Sequence, residues 1–97
     1  MKRTNTQPIG EILRDFFEDN TEIYEKIMEV RIERAWKKLL GPMAAHYTRN
    51  LYVRDRILYV YMTSSVLRNE LLLCKDKLRD NLNQEIQNAF LFDLVIR

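Results

Sequence analysis

At 97 residues, with 46% hydrophobic and 31% charged side chains and only two Gly and two Pro, the chain has the size and composition of a folded unit, not of a linker or disordered tail. Sixteen basic against fourteen acidic residues leave a formal net charge of +2, too small to mark a polyanion binder by itself. One cysteine, Cys74, and one histidine, His46, exclude an internal disulfide and a zinc site of ordinary ligand spacing, and no apolar run approaches the ~20 residues that span a bilayer.

Met1 to Pro8 is polar and lacks the apolar stretch of a secretory signal, so a cytoplasmic location is expected, with residues 1–7 flexible. The first helix is predicted to begin near Pro8, whose missing amide donor suits a first turn, with Thr6 or Gln7 as cap. Ile9, Ile12, Leu13, Phe16 and Phe17 then recur at i, i+3, i+4, i+7 and i+8, one amphipathic stripe. Asp19-Asn20-Thr21 is a cap-rich break. A second helical pattern runs through Ile23, Ile27, Val30, Ala35, Trp36 and Leu39 to Leu40, and Gly41-Pro42 ends it. The apolar phase slips around Val30 to Ile32, which fits either two helices meeting there or one bent helix.

After Met43 to His46 the helical period gives way to alternation. Thr48–Val53 and Ile57–Met62 flank Arg54-Asp55-Arg56 and read as a β-hairpin whose polar turn lacks the favoured Asn-Gly. Thr63, Ser64 and Ser65 offer caps for a third helix, whose apolar face of Val66, Leu67, Leu71, Cys74, Leu78 and Leu82 extends to Gln87. Phe90 to Ile96 reads as a final strand. The predicted architecture is a single two-layer α+β domain over residues 1–97, ordered helix, helix, strand, strand, helix, strand, with helices covering a three-stranded sheet.

Chemistry is sparse. Gly10 and Gly41 are too far apart to form a phosphate-cradling loop. His46 has no partnered nucleophile and is expected to be a partly buried, hydrogen-bonded side chain at the entry to the first strand. Carboxylates on the first two helices alternate with Lys26 and Arg31 as solvated faces do. Cys74 is expected in the core, and Trp36 as the anchor of the second helix on the sheet. No catalytic residue, cofactor or metal is expected.

Two surfaces remain. Strand alternation turns Leu51 and Val53 inward with Leu58, Val60 and Met62, and places Asn50, Tyr52 and Arg54 with Ile57, Tyr59 and Tyr61 on the opposite face. Bases stack on tyrosines displayed this way while arginines attract the backbone; alternatively, another chain or the N-terminal helix covers the face. The second is a basic patch of Lys37, Lys38, Arg49, Arg54 and Arg56, drawn from a segment, residues 34–56, that carries six basic side chains against Asp55 alone. If these residues converge they would contact phosphates; if scattered they are ordinary solvated charges.

From Val30 onward the sequence resembles the bacterial DciA family. The resemblance is carried by the run from Trp36-Lys37-Lys38-Leu39-Leu40-Gly41-Pro42 to His46, by Leu51-Tyr52-Val53 and Leu58-Tyr59-Val60, by Thr63-Ser64-Ser65-Val66-Leu67-Arg68-Asn69-Glu70-Leu71, and by Leu82-Asn83 with the closing strand. It implies a K-homology-like fold, a non-enzymatic adaptor that recruits or loads the replicative DNA helicase, and single-stranded or structured DNA as a second ligand. The glycine-rich clamp of ordinary K-homology domains has no counterpart here. Longer members carry a flexible tail, so a chain stopping at Arg97 is expected to meet its partners through folded surfaces. Two alternatives stand beside the adaptor: a module binding single-stranded DNA or RNA, and a homo-oligomeric structural protein using the tyrosine face.

Overall fold

The computed structural model describes residues 6–97, with side chains from residue 12 onward. Helix α1 (Thr6–Asp19) contains Thr6 and Gln7, so neither is its cap; residues 1–5 of the segment expected to be flexible, and the Ile9 side chain of the apolar stripe, lie outside what is described. Asn20 alone separates α1 from α2. Its side-chain amide donates to the Phe16 carbonyl at 2.7 Å, closing the last turn of α1, while its own carbonyl accepts from Tyr24 N and opens α2.

Helix α2 (Thr21–His46) is continuous through Val30 to Ile32, so residues 21–40 are one helix. The slip in apolar phase has a different cause: α2 carries two stripes. Met28, Ile32, Ala35 and Trp36 are buried on the sheet, whereas Ile23, Ile27 and Val30 form a separate exposed row. Gly41 breaks the helix at φ 83°, ψ 176°, a region that side chains other than hydrogen rarely enter, and Pro42 restarts it for one further turn to His46. The expected end at Gly41-Pro42 is thus a kink. It leaves Ala44 buried and His46 exposed, edge-on to Tyr47 and outside the core where it was expected.

Strands β1 (Thr48–Arg54) and β2 (Ile57–Met62) pair antiparallel, with Tyr52 opposite Tyr59 and Arg54 opposite Ile57. The two-residue turn, Asp55-Arg56, has φ of 53° and 65°. That double left-handed geometry matches the twist of the hairpin without the favoured Asn-Gly. Strand β3 (Asp93–Ile96) lies parallel to β2 on its other side, giving the order β1-β2-β3.

The crossover between β2 and β3 is two helices, α3 (Ser65–Leu73) and α4 (Lys75–Glu85), where sequence periodicity implied one. A straight helix over residues 65–87 would run about 34 Å, roughly twice the length of a five-residue strand, so it has to bend to return the chain to the start of β3. Cys74 is the corner: its N–H donates to Leu71 O and its carbonyl accepts from Leu78 N. Its thiol is exposed, contrary to the expected core position. At the start of α3, Ser64 is the cap, its hydroxyl accepting from Leu67 N at 3.2 Å.

The last strand is also shorter than expected. Phe90 and Leu91 are buried but not in the sheet, because the Asn83 amide both donates to and accepts from the Leu91 backbone at 2.9 Å, taking the place of a neighbouring strand. Val53, Leu58, Val60, Leu94 and Ile96 join α2, α3 and α4 in one core on one sheet face. Trp36 anchors α2 as expected, with its indole N–H donating to Thr48 Oγ1 at 3.0 Å. The result is a two-layer α+β fold with four helices on the described residues.

Candidate nucleic-acid and partner interface

Because the helices cover only one side, alternation leaves Tyr52, Tyr59 and Tyr61 half-buried on the other, with Ile57 and Val95 beside them. The three rings form a ladder. Tyr52 stacks on Tyr59 at 5.0 Å with 10° between planes, and on Tyr61 at 6.2 Å with 20°, so Tyr52 is the middle rung. A hydrogen bond from the Tyr52 hydroxyl to that of Tyr61 raises the Tyr52 pKa above the ordinary tyrosine value. The same bond, helped by the positive charge of Arg97 and Arg49, lowers that of Tyr61.

The expected basic patch does not converge as a unit. The charge of Arg49 bears on the titration of Tyr61, and that of Arg54 on Tyr52. Lys37 shares with Arg49 a groove of about 280 Å³ between α2 and the start of β1. Lys38 turns the other way and pairs with Glu85 on α4 at 2.6 Å. Arg56 serves the fold: its guanidinium donates to the carbonyls of Phe90 at 2.8 Å and Ala89 at 2.9 Å, over the Phe90 ring. The positive charges that bear on the ladder's titration are thus Arg49, Arg54 and Arg97. Arg97 was missed in the sequence, although continuing the alternation of β3 two residues past Val95 places it on this face.

Carboxylates of α2 have a role that their solvated pattern did not reveal. β1 is an edge strand, and Glu29 accepts from the Val53 N–H at 2.8 Å while Glu25 accepts from the Asp55 N–H at 3.1 Å. Asn50 takes the Leu51 N–H at 2.9 Å. Every second amide along the outer rim of β1 is thus occupied, which blocks pairing with another strand there. A cavity of about 460 Å³ lined by Glu22, Glu25, Lys26, Glu29, Tyr52 and Arg54 lies at this edge, where Lys26 pairs with Glu29 at 3.2 Å, and it bounds the tyrosine face on one side. Helix α1 does not cover that face; Phe17 packs on Tyr24 of α2, and Tyr24 in turn on Phe90.

The family model DciA, described as Dna(CI) antecedent, matches residues 8–96. The chain belongs to the DciA family. No curated protein and no solved structure matches it. DciA proteins are helicase loaders of DNA replication and not a known enzyme family. No helix among the described residues is long and apolar enough to cross a membrane. Set on the fold, much of the DciA-like pattern proves to be scaffolding: Trp36 anchors α2, Gly41 makes its kink, Ser64 caps α3 and Asn83 clamps Leu91. Within the pattern, Tyr52 and Tyr59 stand apart, since their rings sit on the open sheet face and leave the core to their neighbours Val53, Leu58 and Val60.

Proposed function

We propose that this DciA chain acts as a single-domain, non-enzymatic adaptor that brings the replicative DNA helicase to DNA. The observation that carries this reading is the family match over residues 8–96. Its test is co-purification with the replicative helicase of the same organism. A complex is expected, and none at tens of micromolar, the weak end of useful affinity, defeats it.

A second contact, with single-stranded nucleic acid at the open sheet face, is favoured by the tyrosine ladder and its three arginines. The ladder presents Tyr59 and Tyr61 as its end rings, and stacking of a base is worth about 1–3 kcal/mol. Arg49, Arg54 and Arg97, whose charges bear on these rings, would meet the phosphates between bases. The adaptor then has a helicase to carry and a strand to find, in a replicating cytoplasm. Titration of a labelled DNA or RNA strand should show binding that Tyr59→Ala weakens; binding unmoved by that change removes the ladder from the reading.

A further inference from the structure

The fold claims some of the cations on and beside α2 and leaves others. Lys26 pairs with Glu29 at 3.2 Å, Lys38 pairs with Glu85 at 2.6 Å, and Arg31 donates to the Ile86 carbonyl at 2.6 Å. Lys37 and Arg49 are exposed and, among the described residues, in no ion pair. Both line the groove of about 280 Å³ between α2 and the start of β1, together with Asn50 and the carboxylate of Glu33.

A β-bulge brings Arg49 to that groove. Thr48 pairs with Met62 and Asn50 with Tyr61, so Arg49 is an extra residue with no partner across the hairpin. Strict alternation back from Tyr52 would turn Thr48 to the open face. With the extra residue, Thr48 instead receives the Trp36 indole N–H at 3.0 Å. Arg49 then belongs to two surfaces: it lines the groove, and its charge bears on Tyr61, the end ring of the ladder and the residue opposite Asn50. Asn50 gives its side-chain oxygen to the Leu51 N–H, which leaves its amide NH2 as a donor. Trp36 lines the groove wall but is buried, so the groove offers no ring to a base.

The other end of the seam between α2 and β1 has the opposite balance. There Glu22, Glu25 and Glu29 meet Arg54 and Lys26, and Lys26 is held by Glu29. A polyanion lying across the tyrosines is disfavoured at that end and attracted at the Lys37 end.

We propose that a single strand seated on the tyrosine ladder leaves it past Tyr61 and places its next phosphate in the groove of Lys37, Arg49 and Asn50. The inference rests on the strand reading of the open sheet face and gives that strand an exit. The groove recognises the phosphodiester and not the base, so the contact is independent of sequence.

Strand length separates the groove from the ladder. Each neutralised phosphate of a single strand adds about −0.7 to the salt slope, so a thymidine strand of roughly three nucleotides should give about −2 and one of roughly 12 a slope steeper by about 0.7 or more. Lys37→Ala should make the long-strand slope shallower by about 0.7 and weaken that strand several-fold at low salt, with the short strand and the Tm unchanged. Glu33→Gln should tighten the long strand alone. Lys38→Ala, one residue along and paired with Glu85, should change neither strand. A long-strand slope that Lys37→Ala leaves unchanged, or an equal fall on the short strand, overturns the groove. The ladder still stands in that case if Tyr59→Ala weakens both strands. Absence of binding by either strand, or binding indifferent to Tyr59→Ala, overturns ladder and groove together.

Discussion

Replacing Arg49 by alanine separates the tyrosine-face reading from a general attraction of basic protein to nucleic acid. The charges of Arg49, Arg54 and Arg97 bear on the ladder, and if each neutralises one phosphate of a single strand, log affinity should fall against log salt with a slope of about −2. Between about 50 and 200 mM salt that is roughly a 20-fold loss; with Arg49→Ala the slope shrinks to about −1.4 and the loss to roughly 7-fold. Fluorescence anisotropy with a short labelled strand across that range measures both. Lys38→Ala is the internal control, because Lys38 is turned to Glu85 and away from the ladder. An unchanged slope for Arg49→Ala, or an equal fall for Lys38→Ala, would refute the assignment.

Other consequences concern the scaffold that holds this face. Glu29→Ala leaves the Val53 N–H without its acceptor at the β1 edge and should lower stability by about 1–2 kcal/mol, with Glu29→Gln, which keeps an acceptor, much nearer wild type in urea unfolding. The same change frees an edge amide, so increased aggregation on heating is expected alongside it. Gly41→Ala meets no atom within 4 Å, so its whole effect is the backbone conformation at φ 83°, about 1–3 kcal/mol read as a lowered Tm. Arg56→Ala should lower stability by about 1–3 kcal/mol through its lost bonds to Ala89 and Phe90 while leaving the salt slope of strand binding unchanged; a changed slope with unchanged Tm would return Arg56 to the binding surface.

Local pattern was enough for much of this protein. Alternation in Thr48–Val53 and Ile57–Met62 determined which side chains entered the core and which tyrosines faced out, because in a strand the side-chain period leaves no freedom once one face is buried. The helical spacing of Ile12 to Phe17 and the cap before α3 were legible for a similar reason: each depends on neighbours within a turn or two. The family, too, was legible, from residues that mostly serve the scaffold.

What sequence could not decide depended on pieces brought together from far apart in the chain. Whether Phe90 and Leu91 extend a strand rested on the Asn83 amide, and whether one helix or two crosses between β2 and β3 rested on the short sheet it had to span. Glu25 and Glu29 looked like solvent-facing charge until β1 came to lie beside them. The basic patch divided for the same cause. Lys38 and Arg56 found partners some 47 and 33 residues away, on α4 and the loop after it, and so left Arg49 and Arg54 to join Arg97 around the tyrosines. Charge and periodicity can tell which side chains are free to act, but the partner that claims each one is chosen only when the chain folds.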